Sequence, residues 1–138
     1  MNDMTRNVLA MVLGVLLGGA VNMGMVTLGP YLIPLPSGVD GSTMEGLQVG
    51  IKLYEAKHFL FPFLAHAMGT LVGAFVAAKL AANNHQKMAM LIAIVFLFGG
   101  ISMVYMVGGP IWFIVVDLLL AYLPMGYIGG LLAGKKQD

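Results

Sequence analysis

Long apolar runs alternate with short polar breaks along this chain. Four runs reach the roughly 20 residues that an apolar helix needs to cross a bilayer: Val8 to Gly29, Phe59 to Ala82, Met88 to Val107 and Pro110 to Ala133. Pro30 closes the first run, since proline lacks the N–H that would continue a helix. Asn83, Asn84, His85 and Gln86 separate the second from the third, and Gly108-Gly109-Pro110 makes a tight turn before the fourth. Residues 30–58 form the only long connection. The pattern predicts an all-α integral membrane protein: one domain over 1–138, built as a four-transmembrane-helix bundle with an additional connecting helix on the outer, periplasmic side.

That connection has its own pattern. Pro30, Pro34 and Pro36 keep its first part extended. After a turn at 37–41, Ser42 stands three residues before Glu45, the spacing of a capping box, with Thr43 as the other candidate cap. From Met44 to Lys57 apolar and charged residues mix, which predicts a helix that lies near the interface or leads directly into the second span, with a kink at Pro62.

Composition agrees with a bilayer setting. Of 138 residues 59% are hydrophobic and 9% charged, against about 25% charged in soluble domains. A mean hydropathy of +0.91 leaves too little polar surface for a water-soluble globule. A net charge of +1 gives no basic footprint, so no nucleic-acid partner is expected. The absence of cysteine excludes thiolate metal sites and covalent haem c. The nineteen glycines suit membrane helices, where they let backbones approach closely. Gly14 and Gly18 form such a stripe on the first span, Gly69 and Gly73 on the second, and Gly126, Gly130 and Gly134 on the fourth. These faces serve packing within the bundle or a homo-oligomer.

Basic residues set the expected orientation. Arg6, Lys79, Lys87, Lys135 and Lys136 fall on one side of a four-span layout, and only Lys52 and Lys57 on the other. The positive-inside rule then puts both termini in the cytoplasm and the protein in the inner (plasma) membrane of a bacterium. Gly18 and Ala20 have the spacing of a signal-peptidase site, but the apolar run continues to Leu28, so the first run reads as a retained span.

Polar residues inside spans are costly and mark candidate sites. Asn22 lies seven residues before Gly29, His66 eight after His58, and Asp117 seven after Pro110. At 1.5 Å per residue all three fall roughly 10 Å below the outer interface, and Ser102 brings the third span into the same layer. Asp117, His66, Asn22 and Ser102 are therefore the expected lining of an outward-opening, titratable polar pocket that binds or transports a small solute, ion or proton. Asp117 also has packing partners within reach in Asn22, His66 and Tyr122, so the same layer could simply fix helix packing in a non-catalytic subunit. A divalent metal is the other candidate occupant. Glu55 and His58 stand one turn apart, and with His66 and Asp117 they would make a metal-dependent membrane enzyme. No serine-hydrolase, zincin or phosphate-loop motif occurs, and Tyr31, Tyr54, Tyr105, Trp112 and Tyr127 read as an interfacial aromatic belt.

Overall fold

The computed structural model describes residues 1–134 and is all-helical across them. Four of its helical segments are long and apolar enough to span a membrane. Helix α1 (Asp3–Leu32) starts at Asn2, whose side chain accepts the Thr5 N–H at 2.8 Å and so satisfies one of the free donors of the first turn. It runs through Pro30 and ends two residues beyond it. Pro30 therefore does not stop the helix, although it sits within the last turn.

A short α2 (Met44–Gly50) and two 3₁₀ turns, Ile51–Leu53 and Ala56–Phe59, make up the connection's structured part. The cap of α2 is Thr43, whose hydroxyl accepts the Gly46 N–H at 3.0 Å. Ser42 instead turns back to Asp40, donating its backbone N–H at 2.9 Å and its hydroxyl at 2.6 Å to Oδ1. The Ser42 hydroxyl, followed by its N–H, holds the Asp40 carboxyl below its ordinary pKa. Of the two arrangements expected for this segment, the helix leading directly into the second span is not formed. The chain is extended at Tyr54 and Glu55, and a new turn begins at Ala56. That turn is closed locally: the Glu55 N–H donates to His58 Nδ1 at 2.9 Å.

Helix α3 (Leu60–Leu80) has Pro62 in its first turn, where a missing N–H costs nothing, so no internal break is needed there. Helix α4 (His85–Met106) follows Asn84, which adopts a left-handed conformation (φ 51°) to turn the chain. The fourth run is not one helix. It divides into α5 (Ile111–Leu120) and α6 (Leu123–Leu132), with Tyr122 non-helical between them (φ −117°, ψ −80°). Pro124 accounts for the break, since it offers no N–H to the Leu120 carbonyl and its ring would collide with that carbonyl in a straight helix.

Helix α3 is the hub and packs against α1, α4 and α6. Its contact with α1 is close enough to leave no room for side chains. A Cβ on Gly18 would lie 2.5 Å from the Gly69 carbonyl oxygen, and one on Gly14 2.7 Å from that of Gly73. The α6 glycines are likewise filled from inside the bundle: Gly126 faces Ala93, Gly129 faces the Leu71 carbonyl and Ala74, and Gly130 faces Gln86. The glycine faces named above as a route to a homo-oligomer are thus largely spent on internal packing, except at Gly134, which like Gly19, Gly24 and Gly99 faces open space.

The bundle has two unlike ends. At the hairpin end, Arg6 Nε donates to the Leu80 carbonyl and Lys79 to the Ala133 carbonyl, capping the last turns of α3 and α6. Asn7, Asn83 and Asp3 extend this network from α1 to the α3–α4 turn. The other end carries the long connection, folded over the tops of the helices.

Candidate functional site

Two polar side chains meet inside the bundle below the connection end. His66 and Asp117 are each the seventh residue of their helices, so both lie about 9 Å in from the helix start. His66 Nδ1 stands 2.8 Å from Asp117 Oδ1 and 3.0 Å from Oδ2. Facing a carboxylate, Nδ1 carries the hydrogen and donates it. The Asp117 side chain is 5% exposed and that of His66 20%, so the carboxylate is the shielded member and the imidazole the accessible one.

Tyr122 completes the group, its hydroxyl donating to Asp117 Oδ2 at 3.1 Å. Residues five apart on a straight helix point about 140° away from each other, so this bond depends on the α5–α6 break. The Tyr122 ring also stacks on His66, with centroids 5.7 Å apart. Gly100 of α4 makes room for that ring, since any Cβ there would collide with the Tyr122 hydroxyl. Thr70, fully buried one turn below His66, donates its hydroxyl to the His66 carbonyl at 2.8 Å.

The pair forms the inner end of a cavity of about 220 Å³. Its walls come from α1 (Val26, Gly29, Pro30), α3 (Phe61, Pro62), α4 (Gly100, Met103, Val104, Val107) and α5 (Phe113, Ile114). Leu35, Leu47, Ile51 and Tyr54 of the connection roof it. Among the described residues the lining contains no lysine or arginine, and its ionisable members are His58, His66, Tyr54 and Asp117. Burial pushes the Tyr54 phenol upward, which keeps it neutral. An engineered cavity of about 150 Å³ in another protein takes up benzene, so this one has room for a single substituted ring.

The other residues singled out from sequence are placed elsewhere. Asn22 packs against Gly69 rather than bonding to the pair, and its Oδ1 is buried without a partner. Ser102 is exposed on α4 and donates to the Phe98 carbonyl of its own helix at 2.8 Å, so the third span adds no polar group to this layer. The His66–Asp117 contact is the part of the expected layer that does assemble.

The expected metal-ligand set is not brought together. His58 uses both ring nitrogens, Nδ1 accepting from Glu55 and Nε2 donating to the Pro34 carbonyl at 3.2 Å. Glu55 faces outward and pairs with Lys57 at 3.3 Å. Among the described residues no three His, Cys, Asp or Glu side chains are grouped closely enough to hold an ion. The Glu55/His58 spacing is explained by the turn that it closes.

Among the described residues, fold and site together define an all-helical protein with four membrane-length helical segments and a mainly apolar cavity ending in a His–Asp pair. No family model matches the chain, and no match was found among curated proteins or solved structures.

Proposed function

We propose that this is a multi-pass membrane protein that binds a small, mainly apolar molecule in the cavity, with His66 Nε2 meeting the ligand's polar head. The His66–Asp117 pair at the inner end of a mainly apolar cavity carries this reading. Asp117 fixes Nδ1 as the donor, which leaves Nε2 without a protein partner among the described residues and turned to the ligand's use. In the neutral ring Nε2 accepts a hydrogen bond, and when the ring takes up a proton it donates one. A carboxylate-oriented imidazole can therefore hold a ligand hydroxyl and exchange a proton with it. Tyr122 keeps the carboxylate in place.

In this reading the long helices lie across a plasma membrane with both termini in the cytoplasm. Arg6, Lys79 and Lys87 support the orientation, since they sit at the hairpin end while Lys52 and Lys57 sit in the connection. Lys135 and Lys136, counted towards the same end from sequence, lie outside the described residues. The connection end then faces outward, and the cavity lies in the outer leaflet beneath its roof.

The test uses two probes that differ by one hydroxyl, p-cresol and toluene, with thermal unfolding of the purified protein in detergent as readout. A ligand that binds only the folded state raises stability by about 2.7 kcal/mol at a hundredfold excess over its Kd. Wild type should be stabilised saturably by both probes, and by p-cresol at roughly fivefold lower concentration, the equivalent of about 1 kcal/mol for one hydrogen bond. His66→Leu should lose that preference while still responding to toluene. Equal responses to both probes in wild type, or no saturable response to either, would sink the proposal.

A further inference from the structure

The connection lies over the cavity on the side where an aqueous solute would arrive and is pinned there at several points. Gln48 Nε2 donates to the Met106 carbonyl at 2.6 Å and ties α2 to the end of α4. His58 joins the start of α3 to Pro34, and Phe59 packs edge-on against Trp112 at 5.4 Å, continuing the cover over α5. Towards the hairpin end α1 and α4 touch directly, with Gly14 against Ile92 and Gly18 against Phe96.

Between these two ends α1 and α4 both contribute to the cavity wall. Val26 from α1 and Met103 from α4 are both cavity-lining, yet 42% and 36% exposed, so each reaches from the cavity to the flank of the bundle. Pro30, next along the same wall, is likewise exposed. On the membrane reading above, this flank faces the acyl chains of the outer leaflet.

Resting on that reading, we propose that the α1–α4 seam opens the cavity sideways to the bilayer, and that the ligand is an alkylated, neutral ring compound of the phenol type. Its head would sit against His66 and its tail would leave through the seam into lipid. Two further observations fix this class. Among the described residues the lining has no lysine or arginine to balance an anionic head, and the Asp117 carboxylate beside His66 would repel one, so the head is uncharged. A volume of about 220 Å³ holds a ring but no long chain, so any tail must lie outside.

The test compares p-cresol with 4-decylphenol, which carries the same head on a ten-carbon tail. Wild type in detergent should be stabilised by both, with half-saturation within about tenfold of each other once micelle partitioning is matched. Val26→Trp and Met103→Trp, which narrow the seam from opposite walls, should raise the half-saturating 4-decylphenol concentration more than tenfold. Each should raise the half-saturating p-cresol concentration by a clearly smaller factor, because the ring lies deeper than the seam. Wild type that binds p-cresol but excludes 4-decylphenol overturns the seam and leaves the binding reading standing. So does a 4-decylphenol response that neither variant changes. A wild type that binds neither probe overturns both.

Discussion

Leucine at Gly18 should strip α1 from the bundle, whereas leucine at Gly19, one residue along the same helix, should be tolerated. A Cβ on Gly18 would meet the Gly69 carbonyl oxygen at 2.5 Å, Phe96 Cζ at 2.9 Å and Gly73 Cα at 3.0 Å. Two of those three contacts are backbone atoms of α3, which cannot swing aside as a flexible side chain can. Overpacking a tight interface costs about 1–3 kcal/mol even where side chains can adjust, and here α1 itself must move. A loss of more than about 3 kcal/mol is expected for Gly18→Leu on the same scale. Gly19 has no heavy atom within 4 Å of its ideal Cβ, so leucine there gains helix propensity without a clash. Denaturant-induced unfolding in micelles, followed by circular dichroism, should show a large drop for the first variant and none for the second. Equal effects would mean that α1 does not dock on α3 through this stripe.

The second large effect belongs to Asp117. Asp117→Ala removes the acceptor for two buried donors, His66 Nδ1–H and the Tyr122 hydroxyl. Leaving a buried hydrogen-bond donor without its partner costs about 1–3 kcal/mol, and here two lose theirs. That is well above the roughly 0.6 kcal/mol average for a single interhelical hydrogen bond in a bilayer. Asp117→Asn keeps one carbonyl oxygen as acceptor and should recover at least half of the loss. The same asparagine should weaken p-cresol binding through His66, because a neutral amide no longer fixes the imidazole hydrogen on Nδ1. Stability and binding therefore separate in this one variant. If Asp117→Ala unfolds with a wild-type midpoint, the His–Asp–Tyr group does not hold α3 to the broken helix.

What could be read from the sequence was governed by regular helical geometry. Run length located all four membrane-length segments to within a few residues, and depth counting put His66 and Asp117 at the same level, where they meet. Small-residue spacing identified the Gly14/Gly18 and Gly69/Gly73 stripes that pack on each other. Depth alone says nothing about which way a side chain points. Ser102 was at the right level but on the far face of α4, and Asn22 reached Gly69 rather than the pair.

Breaks in regularity were harder to place. Pro62 drew attention as a kink but sits in a first turn where it is harmless, while Pro30 lies inside a helix that continues past it. Pro124 is the proline that divides a span, and its position 14 residues after Pro110, in mid-run, was the available signal. That break lets Tyr122 fold back onto Asp117, one of the partners the sequence had suggested for it. Gly100 and Thr70, which position Tyr122 and the His66 backbone, had no distinguishing pattern in an apolar run. The cavity itself is walled by α1, α3, α4 and α5 under a folded connection, a tertiary feature that no local spacing encodes.

The most direct test of ligand binding through His66 is nitrogen-15 NMR of the imidazole. The chain has three histidines, and the single variants His58→Gln and His85→Gln would assign the His66 signals. On titration with p-cresol to saturation, the His66 Nε2 resonance should move as it takes up the phenol hydroxyl, while Nδ1 keeps the signature of a hydrogen held against Asp117. An Nε2 resonance that stays fixed while p-cresol saturates the protein would contradict the account.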